Sequence, residues 1–151
     1  MALGDTSRRT VEVYVRSLTP GYELRGQEEV LERLRACAGT GEIDGYDLYV
    51  WGSGIDPESR AAQTKFGRFV LDRLDLFGRW AKRAGAELDF CFPTCARHST
   101  VTGESFVCVE FPSVTLVEFE DDRVSHVAPC HRGGDHVTVR SRLKTLESAT
   151  V

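Results

Sequence analysis

Phe66, Phe69, Val70, Leu74, Phe77, Trp80 and Ala81 recur at steps of three and four residues. No other run in the chain narrows its fold so far. The period places these side chains on one stripe of a helix, with charged residues on the opposite face. The pattern predicts a helix from about Glu58 to Ala84. Asp56 followed by Pro57 reads as an N-cap with proline at the first helical position, and Gly85 reads as the stop. A helix that long with one apolar stripe must lie against a large apolar surface.

Strands supply that surface. Val11-Glu12-Val13-Tyr14-Val15-Arg16 alternates with period two and puts three valines on one face. Thr19-Pro20-Gly21 ends it. A first amphipathic helix follows, from about Gly26 to Cys37, with Val30, Leu31, Leu34 and Cys37 on its stripe. Tyr46–Trp51 is a second alternating strand, and residues 52–57 are a loop. Beyond Gly85, Leu88–Phe92, Ser105–Phe111, Val114–Glu120 and Arg123–Ala128 each read as extended. Thr102-Gly103 and Asp121-Asp122 sit where tight turns would join antiparallel neighbours. Pro129–Asp135 is expected as a loop, leading into a short last helix that carries Val139, Leu143 and Leu146 on one side.

The order β-α-β-α-β-β-β-β-α predicts an α/β (α+β) fold. We expect a mixed β-sheet with an early βαβ unit, a β-meander and three helices. The 151 residues suit a single α/β domain over 9–148, with residues 1–8 as a disordered polar tail.

Composition excludes several classes. A hydrophobic fraction of 41% argues against disorder, and no apolar run is long enough for membrane insertion. The N-terminal stretch has no apolar core of an export signal, so a cytoplasmic location is expected. Five cysteines without such a signal read as reduced thiols. Of the 19 basic residues, 16 are arginine, which fits a GC-rich genome. A net charge of −4 argues against a dedicated nucleic-acid coat but leaves room for a local basic face.

Four segments are candidates for chemistry. Cys91, Cys95 and His98 offer thiolate and imidazole ligands, the donors zinc prefers; Cys130 or His131 would have to complete the four a structural site needs. The spacing is unlike that of a zinc knuckle, and a small thiol between Phe90 and Phe92 also packs well in a core. His126 and Cys130 pair an imidazole with a thiol, without an evident oxyanion site or orienting partner. Gly52-Ser53-Gly54 lacks the rest of either phosphate-loop pattern and reads as a turn. A basic stretch runs through Arg132, Arg140, Arg142 and Lys144, with Arg140 and Lys144 on one helix face. Arg132, Arg140 and Lys144 are the candidate DNA contacts, against the plainer reading of a solvated face. Arg79, Lys82 and Arg83 near the end of the long helix complement its dipole.

Several segments carry a family resemblance. They are Val13-Tyr14-Val15-Arg16-Ser17-Leu18, Gln27-Glu28 through Glu32-Arg33-Leu34, and Ile43-Asp44 through Val50-Trp51-Gly52. Phe69-Val70-Leu71-Asp72-Arg73 and His126-Val127-Ala128-Pro129-Cys130 continue it. The whole chain resembles a family of haloarchaeal proteins of about 150 residues labelled helix-turn-helix domain proteins. The resemblance implies DNA binding and transcriptional regulation, with a link to bacterio-opsin expression, and it implies no catalytic residues. The predicted order, with a strand between the first two helices, differs from two helices joined by a short turn. The expectation is a small, non-enzymatic regulatory or accessory protein acting through DNA or a protein partner. The alternatives are a zinc-binding or Cys/His-dependent enzyme and a structural homodimer or interaction module.

Overall fold

In a computed structural model of the chain, residues 7–18, 23–98, 101, 103 and 105–148 are described, without the side chains of 23–25, 97, 98, 105 and 106. In chain order the elements are β1 (Arg9–Val15), α1 (Glu23–Thr40), β2 (Gly45–Val50), β3 (Gly54–Ile55) and a 3-10 turn (Ala61–Gln63). Then come α2 (Lys65–Ala84), β4 (Ala86–Glu87), β5 (Thr94–His98), β6 (Ser105–Glu110) and β7 (Val114–Glu120). The last are β8 (Arg123–Ala128), β9 (Cys130–Arg132), β10 (Asp135–Val137) and α3 (Val139–Glu147). The fold is α+β.

A four-stranded sheet in the order β2-β1-β7-β8 organises the molecule. β1 runs parallel to β2 through α1, which is the expected βαβ unit, and antiparallel to β7. Alternation along β1 divides the core. Val11, Val13 and Val15 face α1 and α3, where they meet Val30, Leu34, Cys37, Leu143 and Leu146. Tyr14 faces the other way and joins Val70, Phe77, Trp80 and Ala81 of α2. The apolar stripe of α2 therefore rests on the sheet face opposite α1 and α3. Tyr14, Trp51 and Phe111 stack in series, with ring centroids 4.5 and 4.0 Å apart.

The expected run of strands is divided between sheets. β5 and β6 pair with each other, as do β7 and β8, but β6 lies in a sheet β3-β6-β5 while β7 crosses to β1. Phe111 anchors the crossing. It is fully buried, its N–H donates to Ser53 O at 2.9 Å, and its carbonyl accepts from Arg16 Nε at 2.7 Å. Pro112 then supplies no donor to continue the ladder.

α1 runs three residues past each end of its expected range, and three further segments differ from expectation, each for a local reason. The long helix begins at Lys65 rather than Glu58. Asp56 Oδ1 accepts from Glu58 N at 2.9 Å, and the hydroxyl of Ser59 donates back to Asp56 O at 2.7 Å. These short polar side chains close a turn in competition with the helix, and Thr64 becomes the cap by accepting from Gly67 N. Leu88–Phe92 is a turn, not a strand, because the N–H groups of Cys91 and Phe92 both donate to Leu88 O. Pro129–Asp135 is not a plain loop. It contains β9 and the start of β10, reversed at Gly133 and Gly134, whose φ values of +59° and +84° suit glycine.

Candidate functional site

α3 is fixed from both ends. Thr138 Oγ1 accepts from Ser141 N and Ser141 Oγ accepts from Thr138 N, both at 3.0 Å, a reciprocal cap. Leu143 and Leu146 are buried against the sheet. Arg142 donates through Nε and Nη2 to the two oxygens of Glu118 on β7, both at 2.7 Å. Arg33 of α1 donates in the same two-pronged way to Glu147, at 2.9 and 2.6 Å. Planar guanidinium and carboxylate groups matched like this fix orientation as well as distance.

The outer side of α3 presents Arg140 and Lys144, both exposed. Arg140 touches Glu29 of α1 at 2.8 Å, with side chains 70% and 44% exposed. A surface pair of this kind contributes about 0–1 kcal/mol, so a phosphate could take Glu29's place at small cost. Arg132 is exposed on β9, opposite Ala86 and Asp135. The charges of Arg132 and Arg142 both act on His126. His126 is buried beneath Trp80, with ring centroids 4.9 Å apart. Burial, and then those two arginines, push its imidazole down to about 4. Beside α3, a cleft of about 280 Å³ is bounded by Arg9, Glu118, Glu120 and Arg142, whose mixed charges favour neither sign of ligand.

α2 adds a second basic surface. Lys65–Ala84 holds six cations against two carboxylates in a chain of net charge −4. Lys65, Arg68, Arg79, Lys82 and Arg83 are exposed, while Arg73 turns inward to Glu12. Lys65 and Arg68 escaped the sequence reading, although the local charge excess was visible there.

The thiols and imidazoles are distributed differently from the chain order. Cys91 lies in the turn after β4, beside the three-stranded sheet β10-β9-β4. Cys95 lies on β5 opposite Cys108 of β6, in the other three-stranded sheet. His98 ends β5, and its side chain lies outside those described. Cys130 opens β9 fully buried, and burial pushes its thiol up, the reverse of what an activated nucleophile needs. Of the four metal candidates, only Cys91 joins a compact set of ligand atoms among the described residues, and its partners are His131 and His136. One ligand atom from each lies within 4.8 Å of the others. His131 and His136 are opposite each other in the β9/β10 register, with rings stacked at 4.9 Å. The missed signal for His136 was Gly133-Gly134 between two alternating segments, which sets that register.

Over residues 4–150 the chain matches the model of a family described as a helix-turn-helix domain. It belongs to that family. No curated protein and no solved structure matches the chain.

In this helix-turn-helix domain protein, no two α-helices among the described residues follow one another across a short turn. β2, β3 and the 3-10 turn separate α1 from α2, and seven strands separate α2 from α3. The helices that meet in space are α1 and α3, joined through Arg33 and Glu147 on one face of the sheet. No helix among the described residues is long and apolar enough to cross a membrane.

Proposed function

We propose that this helix-turn-helix domain protein binds DNA and acts in transcription, with Arg132, Arg140 and Lys144 facing the phosphates. The family match over residues 4–150 carries the reading. The rigid mounting of α3 supports it, because phosphate contacts position a protein on a duplex only if the donors are held in place. With a net charge of −4, attraction to DNA must come from local surfaces such as the outer side of α3.

The narrower reading rests on the sequence alone, and its haloarchaeal and bacterio-opsin parts on the resemblance. It is a non-enzymatic regulator linked to bacterio-opsin expression in the cytoplasm of a haloarchaeon, acting as a homodimer or with a protein partner. In such salt, counterion release contributes little, so base contacts or a partner must carry more of the affinity.

Chromatin crosslinking of the tagged protein in its own cells tests the proposal under native salt. Discrete promoter-proximal sites are expected, and Arg140→Ala with Lys144→Ala should weaken their occupancy. Enrichment no greater than in an untagged strain would overturn it.

A further inference from the structure

We propose that Cys91, His131 and His136 form a zinc site with three protein ligands and a fourth, exchangeable position. This inference is independent of the DNA-binding proposal. Three observations support it.

The ligand atoms are already gathered. Their mutual distances lie within 4.8 Å. Around a tetrahedral zinc with bonds of about 2.0–2.3 Å, ligand atoms stand roughly 3.3–3.8 Å apart. Side-chain rotations close the difference, and two features leave room for them: His136 is exposed, and Cys91 sits in a turn.

The backbone fixes the imidazoles as a pair. His131 and His136 are directly opposite across a hairpin turned by Gly133 and Gly134, so both side chains rise from the same face of the sheet. The ring centroids are 4.9 Å apart and the ring planes 18° from parallel, and one ligand atom of each lies within 4.8 Å of the other. β4 flanks β9 on its other side, with Glu87 opposite His131, and the chain then turns to deliver Cys91.

The donor set excludes hard cations and suits a borderline or soft transition metal, zinc among them. One thiolate and two imidazoles suit zinc, whereas magnesium and calcium require oxygen ligands. The exposed side of His136 leaves the fourth position to water or to a small anionic ligand. Phe90, 75% exposed with its ring 5.0 Å from that of His131, stands beside the site. Bound zinc would tie the turn after β4 to the β9/β10 hairpin, whose last residue, Val137, immediately precedes the Thr138 cap of α3.

The test uses the full chain, reduced and freed of metal by chelation, titrated with Co2+ and then with Zn2+. The expected result is one Co2+ per chain, a thiolate-to-cobalt charge-transfer band, the strong visible bands of tetrahedral Co2+, and displacement by Zn2+. Cys91→Ser should abolish the charge-transfer band. His136→Ala, at an exposed position that leaves the fold intact, should weaken binding by more than the roughly tenfold to hundredfold cost of losing a supporting contact. Cys95→Ser should leave the spectrum unchanged. Absence of a tetrahedral spectrum, or a charge-transfer band that survives Cys91→Ser or disappears in Cys95→Ser, would overturn the proposal.

Discussion

Arg73, Arg142 and Arg33 each grip one carboxylate with two donors, and between them they tie all three helices into the fold. Arg73 joins α2 to Glu12 of β1, and Arg142 joins α3 to Glu118 of β7. Arg33 ties α1 to Glu147 of α3. The Arg73 pair extends to the Tyr14 hydroxyl, which donates to Glu12 and accepts from Arg73 Nε at 3.0 Å. Burial, and then the charge of Glu12, keep that hydroxyl protonated by pushing its ionisation up. These residues looked like surface charges in the sequence, because periodicity reports which face a residue takes and not which buried partner awaits it. His126 makes a sharper test. Its imidazole, ordinarily near 6.5, is pushed down to about 4 in the folded state. Above pH 6.5 both folded and unfolded chains hold it neutral, and its contribution to stability is fully present. As pH falls from 6.5 towards 4, the unfolded state takes the proton first. Stability should then drop by roughly 1.4 kcal/mol per unit, to about 3 kcal/mol in all. Urea midpoints across that range should fall steeply for the native chain and less so for His126→Gln. Parallel slopes for the two proteins would refute this assignment.

At the scale of elements, α2 shows how helix and turn compete. The apolar stripe was legible, and so was its Gly85 stop. The start was not, because a cap signal at Asp56 and a true cap at Thr64 look alike in sequence. What separates them is the 3-10 turn packed against the first turn of α2. A Cβ on Gly67 would lie 2.0 Å from Ala61 O and 2.7 Å from Ala62 Cα, both backbone atoms. A Cβ on Gly78, in the middle of the same helix, would meet nothing within 4 Å. The two glycines should respond oppositely to alanine. Gly78→Ala should stabilise by about 0.5–1 kcal/mol through helix propensity. Gly67→Ala should destabilise by about 1–3 kcal/mol, since the turn must move away. Chemical denaturation of both variants checks the pair, and stabilisation by Gly67→Ala would show that the turn does not hold the helix start.

For the whole molecule, local pattern revealed the three helices, the strands β1, β2, β6, β7 and β8 and the α+β class, but neither the short strands nor how the strands divide between sheets. Val114–Glu120 and Arg123–Ala128 were readable to the residue, yet nothing in their alternation says that β7 leaves β6 and joins β1. That choice depends on Phe111 finding Trp51 and Ser53, contacts between residues far apart in the chain. The same rearrangement separates Cys91 from Cys95 and gathers Cys91 with His131 and His136, so the candidate metal ligands could not be assembled from spacing. The basic face of α3 was legible, because Arg140 and Lys144 are four residues apart on one helix. Its rigid mounting was not, since Glu118 and Glu147 are supplied or met across the fold. The central claim, DNA binding through that face, is tested most directly by the salt dependence of binding to a duplex recovered from the crosslinked chromatin. Each phosphate contact contributes about 0.9 to the slope of log affinity against log salt concentration. The native protein should bind with a negative slope, and Arg140→Ala with Lys144→Ala should make it shallower by about 1.8. Equal slopes for the two proteins, or no binding at low salt, would contradict the claim.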